Sequence, residues 1–122
     1  MTRWGPGHFE DDGARRFLAD VVEHFAHQID DVLDGDAGDA EPTALGESVL
    51  MPAVALLTTL CERHGAMPPA PERVRHWQQA YLPRWLAAAD SLVPDAALRA
   101  ERERLIRLAF ARLGAVAATE LE

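Results

Sequence analysis

The chain has 122 residues, enough for one domain with its own apolar core, and we expect a single domain over residues 1–122. Apolar residues make up 48% of the chain, and its single cysteine excludes an internal disulfide and favours a cytoplasmic location. The net charge of −8 argues against nucleic-acid binding, which depends on clustered basic residues, and no uncharged apolar run is long enough for a membrane span.

The first predicted helix covers residues 12–33. Asp11 and Asp12 stand before it as N-cap candidates, and the pair Asp34-Gly35 is suited to end it. Apolar residues recur through this segment at steps of three and four, which is the spacing of one helical face. The residues expected to face the core are Ala14, Phe17, Leu18, Val21, Val22, Phe25, Ile29, Val32 and Leu33.

The second predicted helix begins at the capping residue Thr43 and ends at His64-Gly65. Its apolar stripe is Leu50, Val54, Leu57 and Cys61. Pro52 interrupts the pattern, and a proline inside a helix costs about 3 kcal/mol. Either the helix kinks at Pro52, or a short helix over 43–50 precedes a second one that begins near residue 52.

Two further helices complete the predicted fold. The third begins at Pro71, ends between 91 and 94, and is kinked or split at Pro83. Its stripe is Val74, Trp77, Tyr81 and Trp85. The fourth covers about 94–118, with an outer face of alternating Arg and Glu and a core stripe of Leu98, Leu105, Leu108, Ala109, Leu113 and Val116. No segment shows the alternation of a strand. The sequence therefore predicts an all-α antiparallel bundle of about four helices, the second and third kinked at proline.

The N-terminus carries the most specific motif, Trp4-Gly5-x-Gly7-x-Phe9-x-x-Asp12-x-Ala14. It resembles the N-terminal signature of the bacterial domain of unknown function 4259 family. That resemblance implies a helical, Leu- and Ala-rich fold and no particular activity. Members often carry Asp-Trp where this chain has Arg16-Phe17, so the aromatic residue is kept and the acidic one is replaced by a basic one.

The motif has a structural and a functional interpretation. In the first, Trp4 and Phe9 are apolar anchors, the two glycines allow a sharp turn, and Asp12 caps the first helix, so that the segment latches the N-terminus onto the bundle. In the second, the glycine turn and Asp12 form a recognition surface. The structural interpretation is the favoured one.

A metal site is the main catalytic alternative. Asp20, His24 and His27 lie on one strip of the first helix, and two histidines with a carboxylate can bind a divalent transition metal. A metal-binding bundle usually draws ligands from several helices, and only Glu72 with His76 could add to this strip. A solvated polar face is therefore favoured, and we expect no cofactor.

Three other patterns favour ordinary structural roles. Cys61 and His64 are three residues apart, but Cys61 continues an apolar stripe and is expected to be an inert core thiol. Trp77 and Trp85, with Tyr81 between them, are expected in the core rather than in a ligand cage, although a small-ligand-binding bundle stays open as an alternative. The acidic segment near residue 34 lacks the residue order of a calcium loop.

Charge distribution suggests the function. Residues 1–47 hold 12 acidic residues and three arginines, whereas residues 48–122 are nearly balanced. We therefore expect a non-enzymatic interaction module that binds a basic protein, for example as an accessory partner or as an immunity protein facing a basic toxin. The carboxylates expected to contribute most lie in the polar loop predicted after the first helix: Asp34, Asp36, Asp39 and Glu41.

Overall fold

The computed structural model describes residues 5–35 and 45–119, and within these ranges the chain forms helices and no β-strand. The helices are α1 (Asp12–Leu33), α2 (Met51–His64), α3 (Pro71–Leu92) and α4 (Ala96–Thr119). The predicted all-α class is confirmed. None of the helices in the described ranges combines the length and the apolar character that crossing a membrane requires.

Successive helices run antiparallel, as predicted. Phe9, just before α1, contacts His64 at the end of α2, and Asp90 near the end of α3 pairs with Arg99 near the start of α4. The connectors 65–70 and 93–95 are short, as is typical of an up-and-down helical bundle.

Helices α1 and α4 lie on one diagonal of the bundle. α1 packs against α2 and α3, and α4 packs against the same two helices, so α1 and α4 occupy opposite corners of the bundle. The neighbours α1 and α3 run parallel, and so do α2 and α4. The contacts that fix these directions are Asp30–Trp77, Leu33–Arg84, Glu47–Arg102 and Glu62–Arg112.

Pro52 has reshaped the start of the second helix. A π-helical turn over Gly46–Leu50 leads directly into α2, and the Met51 N–H donates to the carbonyl of Gly46, five residues back. Proline has no N–H to donate, and its ring crowds the carbonyl four residues earlier, so the preceding turn widens. Of the two predicted alternatives, a kinked helix or a short helix followed by a second one near residue 52, the structure is closer to the second. Pro83, by contrast, lies inside an unbroken α3.

The apolar stripes predicted for the second and third helices are both confirmed as core. The buried residues of these stripes are Leu50, Val54, Leu57, Cys61, Val74, Trp77, Tyr81 and Trp85. Trp77 and Trp85 are fully buried and lie among the largest side chains of the core. Full burial of side chains of this kind contributes roughly 2–3 kcal/mol each, so these two helices supply much of the stability.

Four residues predicted to lie in the core are exposed, three in α4 and one in α1. Leu98, Leu105 and Leu108 of α4 are 61%, 41% and 46% exposed, and Phe17 of α1 is 65% exposed. In α4 Leu113 is buried as predicted, and the other buried residues are Ile106, Phe110 and Ala117. Apolar residues surround this helix on several sides, so periodicity alone does not select the buried side.

Within the described residues, each helix end falls within two residues of a predicted position, with α2 beginning near the alternative start at residue 52, whereas the predicted cap Thr43 lies outside these residues. Gly65 adopts the left-handed conformation (φ 70°) after α2, and the Ala66 N–H donates back to the carbonyl of Leu60, a glycine-terminated helix end. The Asp95 carboxylate accepts from the Leu98 N–H and so caps α4, a cap that the sequence analysis did not identify.

Candidate functional site

The N-terminal turn is fixed by its own backbone and by one aromatic contact. The Glu10 N–H donates to the Gly7 carbonyl, and the Glu10 carboxylate accepts from the Gly7 N–H. Phe9 packs against the core, and its ring lies 4.9 Å from that of His64. Phe9 thus makes the kind of contact expected of a latch, whereas Trp4 lies outside the described residues.

One predicted cap is wrong by one residue. The side chain of Asp11, not that of Asp12, accepts from the Ala14 N–H, and Asp12 is the first residue of α1. Asp11 has the extended backbone that an N-cap requires, whereas Asp12 is already helical. A carboxylate at Asp12 still lies favourably in the first turn of the helix.

A shallow groove of about 270 Å³ lies beside this turn. Its wall combines the turn itself with the start of α1 and the end of α2, and its charged side chains are Glu10, Arg15 and Arg63. His8 and His64 add two imidazoles. The groove is open and carries both signs of charge, so it offers polar contacts without enclosing a substrate.

The outer face of α1 is an exposed acidic strip. We define it by the residues that share one side of the helix and point to solvent: Phe17, Asp20, His24, His27 and Asp31. The imidazole of His27 lies 3.5 Å from the carboxylate of Asp31, and the two side chains are 70% and 66% exposed. Asp34, also exposed, follows at the end of the helix.

The histidines of this face do not assemble a metal site. Among residues 5–35 and 45–119, no three His, Cys, Asp or Glu side chains come together in a group that could hold a metal ion. Asp20, His24 and His27 therefore share a helix face without converging on a point. The other loop carboxylates, Asp36, Asp39 and Glu41, lie outside the described residues.

A polar network that the sequence analysis missed connects α1 to α3. The Asp30 carboxylate accepts from Trp77 Nε1 at 2.7 Å and from Arg73 at 2.6 Å, and Arg73 also donates to Glu23. Burial raises the pKa of Asp30, but hydrogen bonds from Trp77 and Arg73, with the charge of Arg73, lower that pKa by more. The network holds a buried indole N–H and neutralises two carboxylates of α1.

A second network lies at the π-helical turn. Glu47 accepts three hydrogen bonds from Arg102 of α4, at 2.6–3.2 Å, and the hydrogen bonds raise the pKa of Arg102. Burial, reinforced by the charge of Glu47, also raises the pKa of the nearby Tyr81 hydroxyl. Gly46 lies so close to the Tyr81 ring that a side chain there would overlap it. Beside this network a groove of about 330 Å³ runs between α2 and α4.

The remaining candidates lie in the core. Cys61 is buried in the apolar stripe of α2, the position expected of a core thiol, whereas His64 is exposed at the end of the same helix. Trp77, Tyr81 and Trp85 are fully buried or nearly so. Within the described part of the chain, the Tyr81 hydroxyl and Trp85 Nε1 have no hydrogen-bond partner.

Fold and surface together define a small helical bundle whose distinctive external features are an acidic helix face and a glycine turn. The model of a family described as a domain of unknown function (DUF4259) matches residues 2–122, and the chain belongs to this family. No curated protein and no solved structure is similar enough to count as a match.

The contact of Phe9 with the end of α2 can be tested by truncation. We expect Phe9→Ala to lower the free energy of unfolding by about 1–2 kcal/mol, less than for a fully buried phenylalanine because the ring is only half-buried. Urea unfolding measures the loss. The exposed neighbour His8 supplies the control, since His8→Ala should change stability by less than about 0.5 kcal/mol. Equal stability of both variants would show that Phe9 does not anchor the turn.

Proposed function

We propose that this protein is a non-enzymatic interaction module that binds a basic protein surface through the outer face of α1. The observation that carries the proposal is the position of Phe17, 65% exposed, on the same side of α1 as the exposed carboxylates of Asp20 and Asp31. An exposed aromatic ring beside charges of one sign is typical of interfaces, where aromatic anchors supply affinity and charges supply orientation.

The carboxylates of this face are poorly neutralised by the protein itself. Most arginines of α3 and α4 are already paired with carboxylates, as in Arg102–Glu47 and Arg112–Glu62. Among the described residues, Asp20 and Asp34 form no ion pair, and Asp31 has only the imidazole of His27. The negative potential of α1 therefore remains available to a basic partner and should speed association at low salt.

The position of these acids along α1 gives a further argument. The last turn of the helix has no basic residue, although Asp31 and Asp34 lie at this end, where the macrodipole is negative. Carboxylates at a helix C-terminus cost roughly 0.3–1 kcal/mol each. Asp31 offsets this cost only through its exposed pair with His27, and Asp34 forms no ion pair in the described residues, as is expected at positions kept for recognition.

The test compares two matched pairs of neutral variants as baits in a cell lysate of the source organism. Asp20→Asn with Asp31→Asn removes two charges from the outer face of α1, and Glu72→Gln with Asp90→Asn removes two exposed charges from α3. Quantitative mass spectrometry should show one basic protein retained by the parent and by the α3 variant, but lost with the α1 variant. The purified partner should then associate more slowly as salt rises.

Two outcomes would overturn the proposal. One is a partner retained equally by both variants, which would place the interface elsewhere. The other is association whose rate does not depend on salt, since attraction between exposed charges is screened beyond about 8 Å at physiological ionic strength. The proposed setting is the cytoplasm, where a protein with a single, buried cysteine and therefore no internal disulfide is expected.

A further inference from the structure

The outer side of α4 carries an apolar heptad pattern separate from its core side. Its members alternate steps of three and four residues, which is the spacing of a coiled-coil seam. We call them the α4 seam: Leu98, Glu101, Leu105, Leu108, Arg112 and Ala115. The three leucines are 61%, 41% and 46% exposed, although this helix already buries a full apolar face inside the bundle.

The order of residues in the seam is self-complementary when two copies run antiparallel. In that arrangement the first seam position of each heptad faces the second position of the other copy. When the two-fold axis of the dimer passes between Leu105 and Leu108, Leu105 of one copy faces Leu108 of the second copy. Glu101 then faces Arg112 of the second copy, and Leu98 faces Ala115 of the second copy.

The alternatives are disfavoured by the same residues. A parallel pair would place Glu101 against Glu101 of the second copy and Arg112 against Arg112 of the second copy. Like charges directly opposite each other are repulsive, so the seam specifies the antiparallel register. The existing partners of these side chains are Arg104 and Glu62, in pairs at least one-third exposed, and such pairs contribute little and can exchange.

We infer that α4 is a homodimerisation helix, and that two copies of this chain associate through an antiparallel α4 seam with Leu105 and Leu108 at its centre and Glu101–Arg112 ion pairs on both sides. The outer face of α1 is not involved, because α1 and α4 occupy opposite corners of the bundle. Six residues of one helix bury less than the roughly 800 Å² per partner of a stable complex, so the dimer is weak and concentration-dependent.

The test is sedimentation velocity on the full chain at concentrations from about 5 to about 500 µM, where an interface of this size dissociates. The parent should shift from monomer to dimer across this range. Glu101→Arg puts an arginine opposite Arg112 of the second copy, and Arg112→Glu puts two carboxylates opposite each other. Each single reversal should raise the dimer dissociation constant at least tenfold, and the double variant should restore it to within about threefold of the parent.

Arg107→Glu is the matched control, since Arg107 is an exposed arginine of α4 outside the seam. This control should leave the dissociation constant of the dimer unchanged. Circular dichroism melting at low protein concentration should show that the two single reversals, the double variant and the control are all folded. Leu108→Gln should also abolish the dimer. A parent that stays monomeric throughout, single reversals without effect, or a double variant that is not restored would each overturn the inference.

Discussion

Replacing Asp30 by alanine is expected to lower the free energy of unfolding by about 3 kcal/mol. The substitution leaves Trp77 Nε1 buried without its acceptor, which costs about 1–3 kcal/mol, and removes a charged hydrogen bond to Arg73. The adjacent residue gives a sharp control. Asp31 is 66% exposed, and its one ion pair among the described residues is with His27, so Asp31→Ala should change stability by less than about 0.5 kcal/mol. Urea unfolding at pH 7 compares the two.

The same network sets the direction of a pH dependence. The pKa of Asp30 is lower in the folded protein than the value of about 3.9 of a free aspartate. Its contribution to stability is therefore complete above that value and is lost as pH falls through the folded-state pKa. The parent should be more stable than Asp30→Asn at pH 7, and the difference should shrink as pH falls through the folded-state pKa of Asp30. A difference that stays constant with pH would contradict the charged interaction.

Gly46→Ala is expected to destabilise the protein by about 3 kcal/mol. A methyl group at this position would overlap the ring of Tyr81 and lie 2.6 Å from its hydroxyl oxygen. The ring is 1% exposed and so lies within the packed core, where forced overpacking typically costs about 1–3 kcal/mol or more. Thermal and urea unfolding measure the loss, and near-ultraviolet circular dichroism reports whether Tyr81 has shifted.

Gly114→Ala should have the opposite sign. This glycine lies inside α4, and a methyl group there would meet only Val74, at 4.0 Å, which is ordinary contact. Alanine in a helix interior is roughly 0.5–1 kcal/mol more favourable than glycine, so stability should rise by that amount. An equal loss of stability in both glycine variants would contradict both expectations, the overlap with Tyr81 at Gly46 and the gain in helix propensity at Gly114.

The first and third helices show what periodicity can establish. The predicted range of 12–33 agrees with the observed α1 because caps and stripe point to the same boundaries. The stripe of α3 was equally clear, since large side chains at steps of three and four alternate there with polar ones. In α4, by contrast, leucines lie both on the buried side and on the exposed side of the helix. The buried side is the one that packs against α2 and α3, and the spacing of the leucines alone does not reveal which side that is.

The polar networks could not have been predicted for a different reason. Asp30 and Trp77 are 47 residues apart and Glu47 and Arg102 are 55 apart, so no local spacing links them. In the sequence, Asp30 is one of six carboxylates within residues 30–41, and no local feature distinguishes it from the others. The tertiary arrangement, with α1 and α3 parallel and adjacent, is what turns this residue into the partner of an indole N–H.

The placement of α1 and α4 at opposite corners has a consequence for valency. Because these two helices lie on one diagonal of the bundle, two copies joined along α4 would direct both α1 helices outward, on opposite sides of the assembly. Each assembly would then offer two identical acidic faces and could bridge two molecules of a basic partner or bind a partner with two sites. Avidity of this kind multiplies a modest affinity without any new contact, and it disappears when protein concentration falls below the dissociation constant of the dimer.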